Sequence, residues 1–166
     1  MSGPAGVSGS TSTRVRAATH EDLPAVVAAV GGLLSELGSR PPRASEMLEA
    51  GRALLEEPRV GALLVAEAGG EDVSIVGVLA ASYQLALHVP GRYVLIQDLW
   101  VRPSWRGRSV GRELLARLFE LARRQGMARA EVGLPRESFE GIRATEEFYA
   151  GNGFEHLGAR MRRILT

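Results

Sequence analysis

Apolar and polar positions along the chain change period several times, and each change marks an element. Residues 14–18 alternate and suggest a first strand, after which Thr19 can cap a helix with Asp22 three residues on, in the manner of a capping box. That helix is predicted over residues 21–37 and is broken by Gly38-Ser39-Arg40-Pro41-Pro42. Met47, Leu48, Gly51, Leu54 and Leu55 then mark one face of a second helix that stops near Pro58. Residues 62–67 and 73–87 read as strands joined by Gly69-Gly70, and Val89-Pro90-Gly91-Arg92 as a turn into the mostly buried strand Val94-Leu95-Ile96-Gln97-Asp98-Leu99-Trp100-Val101. Beyond it Val110, Leu114, Leu115, Leu118 and Leu121 fall at helical spacing. The pairs Glu113/Arg117 and Glu120/Arg124 occupy the wet side of this helix, Arg123 and Arg124 its last turn, and Gly126 follows. Residues 128–133 supply a strand, 141–150 a short helix, and 154–157 with 159–165 a closing pair of strands. The order β-α-α-β-β-β-α-β-α-β-β describes an α/β chain, α+β in some schemes, and an antiparallel meander is the economical arrangement of its sheet.

Composition narrows the chemistry. A length of 166 residues suits one domain with a substantial core. The expectation is a Ser/Gly-rich disordered tail over residues 1–13 followed by a single domain over residues 14–166. The tail lacks the basic start and apolar core of a signal peptide, and no later apolar run approaches the roughly 20 residues that cross a bilayer, so a cytoplasmic protein with no membrane partner is expected. The absence of cysteine excludes disulfides, thiolate zinc sites and a cysteine nucleophile, and the three scattered histidines offer no metal-ligand spacing. Every basic residue is arginine, but the net charge is only +1, so a nucleic-acid role for Arg102, Arg106, Arg108 and Arg112 is disfavoured.

Candidate chemistry begins at Arg106-Gly107-Arg108-Ser109-Val110-Gly111, between a strand and a helix. The first N–H groups of a helix have no partner inside it and carry the positive end of its dipole, and Gly107 and Gly111 have no side chain to hold a bulky anion away. A pyrophosphate fits such a place, with Arg106 and Arg108 available to pair with phosphate. Gln97 and Asp98 interrupt an apolar strand, and polar groups there are either satisfied or functional. Strand alternation points Asp98 and Gln97 to opposite faces unless a bulge intervenes, so Asp98 is either a base or a structural partner for an arginine. His88, beside a Pro-Gly turn, is a reserve base.

The spacing Arg-x-x-Ser-x-Gly resembles the Arg/Gln-x-x-Gly-x-Gly/Ala signature of the GNAT superfamily of N-acetyltransferases. Phe148-Tyr149-Ala150-Gly151-Asn152-Gly153-Phe154 is similar to the superfamily's Phe-Tyr-x-x-x-Gly-Phe segment, and the resemblance is strongest over residues 92–154. It implies a mixed, largely antiparallel sheet flanked by helices, with acetyl-CoA as cosubstrate and no metal. The reaction implied is transfer of acetyl to a primary amine by direct attack in a ternary complex. Resemblance to the diamine and aminoglycoside acetyltransferases, with their Glu-Asp-x-x-Val strand, implies backbone contacts to the cofactor at Leu99, Trp100 and Val101. It also implies a pyrophosphate seat formed by Arg106, Gly107, Arg108, Ser109, Val110, Gly111 and Arg112. Tyr149 stands where the superfamily commonly has the tyrosine that donates a proton to the coenzyme A sulfur.

Three departures matter. The position that often carries a glutamate base is Gln97, which takes no proton at neutral pH; Asp98 is adjacent. The third small position of the loop is Ser109, which still has its N–H and can cap the helix, so binding should survive. Ile142 and Thr145 replace an asparagine and an alanine, which removes a contact to the pantetheine arm or leaves it to another residue. The alternative is therefore a catalytically degenerate acyl-CoA-binding domain that acts as a sensor or regulator. The acceptor, whether small amine, antibiotic or protein N-terminus, is not legible. Glu36, Glu46, Glu49 and Asp98 are candidate acidic groups for a cationic one, and dimerisation, common in the superfamily, is left open.

Overall fold

A computed structural model describes residues 12–69, 73–158 and 161–164. The chain runs β1 (Thr13–Ala17), a 3-10 turn (His20–Asp22), α1 (Leu23–Glu36), α2 (Ala44–Glu56), β2 (Gly61–Ala68), β3 (Ser74–Ala86) and β4 (Val89–Val101). A second 3-10 turn (Pro103–Trp105), α3 (Val110–Arg124), β5 (Ala130–Val132) and α4 (Ile142–Ala150) follow. The five strands lie in sequence order; β1 to β4 are antiparallel neighbours and β5 adds to β4 in parallel.

Both faces of the sheet are covered, which is why β2 reads as a continuous apolar run rather than a clean alternation. Leu64, Ala66, Val76, Leu79, Val94 and Ile96 pack under Leu114, Leu115 and Leu118 of α3 and Tyr149 of α4. Leu63, Val65, Val78 and Ala80 point the other way, against Leu23, Val26 and Ala29 of α1 and Leu48 and Leu54 of α2. Gly77 lets α3 approach closely, since a Cβ there would stand 2.8 Å from Val110 Cγ1 and 2.9 Å from Leu114 Cδ1.

The first helix opens as its sequence suggests. The Asp22 carboxylate accepts from the Thr19 N–H at 2.7 Å and hydroxyl at 3.1 Å. Arg16 grips the same carboxylate at 2.6 and 3.0 Å and reaches Glu67 of β2 at 2.8 Å, tying β1, β2 and the entry to α1 together. That guanidinium holds Asp22 at a pKa of about 2, despite burial.

Several expected boundaries are corrected. β1 begins at Thr13, inside the stretch read as a tail; residues 1–11 lie outside the described residues. The hairpin turn is Leu87-His88 rather than Val89 to Arg92, and Val89 and Arg92 already lie in β4, paired with Ala86 and Leu85. Glu113 accepts from Thr13 Oγ1 at 2.5 Å, while Arg117 turns to Glu120, which Arg124 also contacts. Residues 154–157 and 161–164 form no strand, and residues 159, 160 and 165 lie outside the described set. The chain leaving α4 turns back instead: the Phe154 N–H donates to the Tyr149 carbonyl at 3.1 Å, and the Phe154 ring packs edge-on to Tyr149 and against Phe119.

Candidate active site

The register of β4 holds the first clue. Ile96 lies opposite Ala81 and Asp98 opposite Ala80, so Gln97 is an extra residue without a partner, which is a β-bulge. The bulge turns Gln97 and Asp98 to one face. Gln97 Nε2 donates to Ser82 Oγ at 2.8 Å, and Ser82 shares a face of β3 with Ala80, the partner of Asp98. Both side chains therefore lie on the side of α1 and α2. The sequence reading of opposite faces holds only for an unbulged strand.

Past the bulge β4 loses its outer neighbour. β5 pairs with Val94, Leu95 and Ile96 and stops, leaving the edge from Leu99 to Val101 open. The Arg102 N–H donates to the Val76 carbonyl, and antiparallel alternation then directs the polar groups of Trp100 toward β3 and those of Leu99 and Val101 toward the open edge. Of the three residues expected to contact a cofactor through their backbone, Leu99 and Val101 turn their polar groups to the unpaired edge, and the Val101 carbonyl accepts from Arg106 Nε at 3.0 Å. Trp100 instead packs its indole against the α1 layer.

Tyr149, near the end of α4, lies in the core on the α3 side of the sheet, within electrostatic reach of Asp98. It is 8% exposed, its ring held edge-on between Phe148 and Phe154. Burial and then the negative charge of Asp98 push its pKa up to about 12. Burial alone raises the Asp98 carboxyl, with no cation or donor acting against it. No arginine partners Asp98 among the described residues, so the structural-partner option fails.

At the far end of this edge the loop before α3 takes the chain through two left-handed residues, Gly107 at φ 74° and Ser109 at φ 67°. Ser109 is the N-cap residue, yet its hydroxyl makes no cap hydrogen bond. Helix bonding begins with the Glu113 N–H to the Ser109 carbonyl, and the N–H groups of residues 107–112 have no partner among the described residues. These six donors stand at the start of a 15-residue helix, the positive end of its dipole, and offer a candidate cradle for an anion.

The loop side chains are placed differently from expectation. Arg106 forms a fork with Glu36 of α1 at 2.8 and 3.1 Å, so its guanidinium braces the loop against α1, and Glu36 is thereby neutralised. Arg108 lies over the Trp105 ring at 5.1 Å, and Arg112 is exposed. Gly111 is small for packing too, because a Cβ there would stand 3.0 Å from the Phe148 ring. Thr145 spends its hydroxyl on the Gly141 carbonyl. Glu46 pairs with Arg43 at the exposed start of α2, Glu49 is exposed on the same helix, and His88 sits exposed at the hairpin tip. Asp98 is thus the one expected acid that the fold leaves unpaired beside Tyr149.

A groove of about 700 Å³ also opens beside α1, lined by Arg16, Glu67, Ile75, Trp100 and Arg102 among others. It contains neither Asp98 nor Tyr149, and its carboxylates Asp22 and Glu67 are engaged by Arg16. Among the described residues no group of three or more metal-binding side chains converges, and no helix is long and apolar enough to cross a membrane.

A family model described as acetyltransferase (GNAT) domain matches residues 59–156, more than half of the 166-residue chain. Among solved structures the chain is similar to aminoglycoside N-acetyltransferase AAC(6')-Iy in complex with CoA, at 18% identity and a TM-score of 0.77, over 96% of this chain and 98% of that one. It is similar to the same enzyme in complex with a bisubstrate analog, CoA-S-monomethyl-acetylneamine, at 16% identity and a TM-score of 0.76, over 94% and 99%. A possible acetyltransferase from Clostridium difficile 630 matches at 17% identity and a TM-score of 0.74, over 93% and 98%. No curated protein matches the sequence.

Proposed function

The chain belongs to the GNAT acetyltransferase family, and from that premise we propose that it transfers the acetyl group of acetyl-CoA to a primary amine by direct attack in a ternary complex. The observation that carries this reading is the row of unpartnered N–H groups before α3 in line with the open edge of β4. A pyrophosphate fits the cradle, and the extended pantetheine arm can pair with Leu99 and Val101 as a strand would, bringing the thioester to Tyr149 and Asp98. The relation of the cofactor to AAC(6')-Iy, seen in complex with CoA, supports the same choice of cosubstrate.

Asp98 is the base in this reading, and Gln97 orients beside it through Ser82. The amine nitrogen attacks the thioester carbonyl carbon, the C–N bond forms, and the ammonium proton passes to the Asp98 carboxylate. Collapse breaks the C–S bond and releases a thiolate. With a pKa of about 12, Tyr149 keeps its proton throughout the working range and offers its O–H to that sulfur. Asp98 is neutral once it has taken the amine proton, which removes one of the two causes that hold Tyr149 up, so the phenol becomes more acidic when the thiolate appears.

Calorimetric titration of acetyl-CoA into the wild type, Arg112→Gln and Arg112→Pro tests the cradle. Proline in the first helical turn deletes one N–H with little harm to the helix, and the glutamine variant isolates the loss of charge. Arg112→Pro should bind about 10-fold more weakly than Arg112→Gln, the value of one charge-assisted hydrogen bond. Thiol release then screens amines, without background from protein cysteines. Absence of acetyl-CoA binding by folded protein refutes the reading; binding without turnover of any amine favours a sensor in place of an enzyme.

A further inference from the structure

The side chain of Arg106 stands at the junction of three elements. The 3-10 turn Pro103–Trp105 reverses the chain beyond β4, and Arg106 follows it in extended backbone, at φ −66° and ψ 147°. Its Nε returns to the end of the strand and donates to the Val101 carbonyl at 3.0 Å, on the edge that β5 leaves open. Its Nη2 reaches both carboxylate oxygens of Glu36, the last residue of α1, at 2.8 and 3.1 Å. The last turn of α1 has no basic residue of its own, so Arg106 supplies the cation that the negative end of that helix favours. Both side chains are open to a dissolved ligand, with 49% of Arg106 and 39% of Glu36 in solvent.

These contacts and a pyrophosphate compete for one group. A guanidinium grips phosphate best through two adjacent nitrogens, and each such edge of Arg106 includes Nε or Nη2; only Nη1 has no partner among the described residues. The unpartnered N–H groups of residues 107–112 begin one residue on, so Arg106 is placed to turn toward an anion held there. Turning frees the Val101 carbonyl for an extended pantetheine arm, and staying leaves the guanidinium across the edge where that arm pairs. Resting on the acetyltransferase reading, we propose that Arg106, held by Glu36, sets the specificity for the acyl donor: it covers the open edge of β4 until a pyrophosphate draws it away, which admits acyl-CoA and discriminates against acyl pantetheines without phosphate. Glu36 sets how firmly that cover is held.

The test measures calorimetric binding of acetyl-CoA and of S-acetylpantetheine, the same thioester without phosphate or adenosine, in the wild type, Glu36→Gln, Arg106→Ala and the double variant. Thermal denaturation checks the fold of each. Arg106→Ala should move the two donors in opposite directions. Acetyl-CoA binds about 10-fold more weakly, the value of a hydrogen bond to a charged group, and S-acetylpantetheine about 2- to 5-fold more tightly, the value of the bond lifted from the Val101 carbonyl. Glu36→Gln should tighten acetyl-CoA by about 2- to 5-fold, in the range of an exposed ion pair, and that gain should vanish in the Arg106→Ala background. If S-acetylpantetheine gains nothing in Arg106→Ala, or Glu36→Gln does not tighten acetyl-CoA, the pair is a structural brace and the inference is overturned. A gain from Glu36→Gln that persists in the double variant reflects general repulsion between Glu36 and the phosphates, which overturns it too. Either result alongside normal acetyl-CoA binding by the wild type leaves the transferase reading intact. The expected pattern without turnover of any amine leaves the inference standing and removes the transferase reading, whereas folded wild type that binds no acetyl-CoA overturns both.

Discussion

Replacing Asp98 with asparagine probes two groups at once, because its charge acts on the phenol of Tyr149. As the base, Asp98 accounts for a rate factor of about 100 to 10,000, and the asparagine variant should lose that much in kcat with little change in acetyl-CoA affinity. Burial raises the Asp98 carboxyl, so the acidic limb of the wild-type pH–rate profile should lie above the ordinary carboxylate range, and Asp98→Asn should remove it. Tyr149 carries the second readout. Its pKa rises from 10.0 to about 12, with burial the larger cause and Asp98 the smaller, so removing the charge lowers it by about one pH unit or less. Ultraviolet titration of the phenolate, with the Tyr149→Phe spectrum subtracted to eliminate Tyr83 and Tyr93, measures that change. An acidic limb that survives together with kcat within about threefold of wild type refutes Asp98 as base. An unshifted Tyr149 refutes the electrostatic link between the two groups.

Three further outcomes follow from the packing. Asp22→Asn should cost about 2 kcal/mol at neutral pH by denaturant titration, since Arg16 lowers the Asp22 pKa from 3.8 to about 2. A depressed folded-state pKa contributes stability above the unfolded value that is lost as pH falls, so the gap between wild type and variant should close between about pH 4 and 2. Ser109→Gly should stabilise by about 0.5 kcal/mol, because relief of the left-handed conformation at φ 67° exceeds the added freedom of the unfolded chain, and acetyl-CoA affinity should persist because the N–H remains. Ser109→Val at the same site should destabilise. Gly77→Ala should cost about 1–3 kcal/mol by overpacking, displace the first turn of α3 through Val110 and Leu114, and weaken acetyl-CoA binding; a neutral effect on both would show that α3 can move away freely.

Signals that act over a few residues are legible in the chain alone. Helical spacing at Val110, Leu114, Leu115 and Leu118, the Thr19/Asp22 pair and the breakers around Gly38 located elements to within a few positions, because periodicity and capping are local. The same holds for the loop from Arg106 to Gly111, whose glycine and serine conformations open a helix end. Relations between distant segments were decided in three dimensions. The extra residue at Gln97 exists only relative to Ala80 and Ala81 on β3, and it alone reverses the face of Asp98. Arg106 is drawn to Glu36, seventy residues earlier; Gly111 owes its small size to Phe148; and the segment after α4 meets Phe119 and Tyr149 rather than forming a strand. Glu131 is one more polar residue in a short strand until β5 adds to β4 and encloses it. Sequence spacing carries the period of an element but not its register against another. Register is set by which side chains fill the shared core, and it is register that turns Asp98 to the face of α1 and α2.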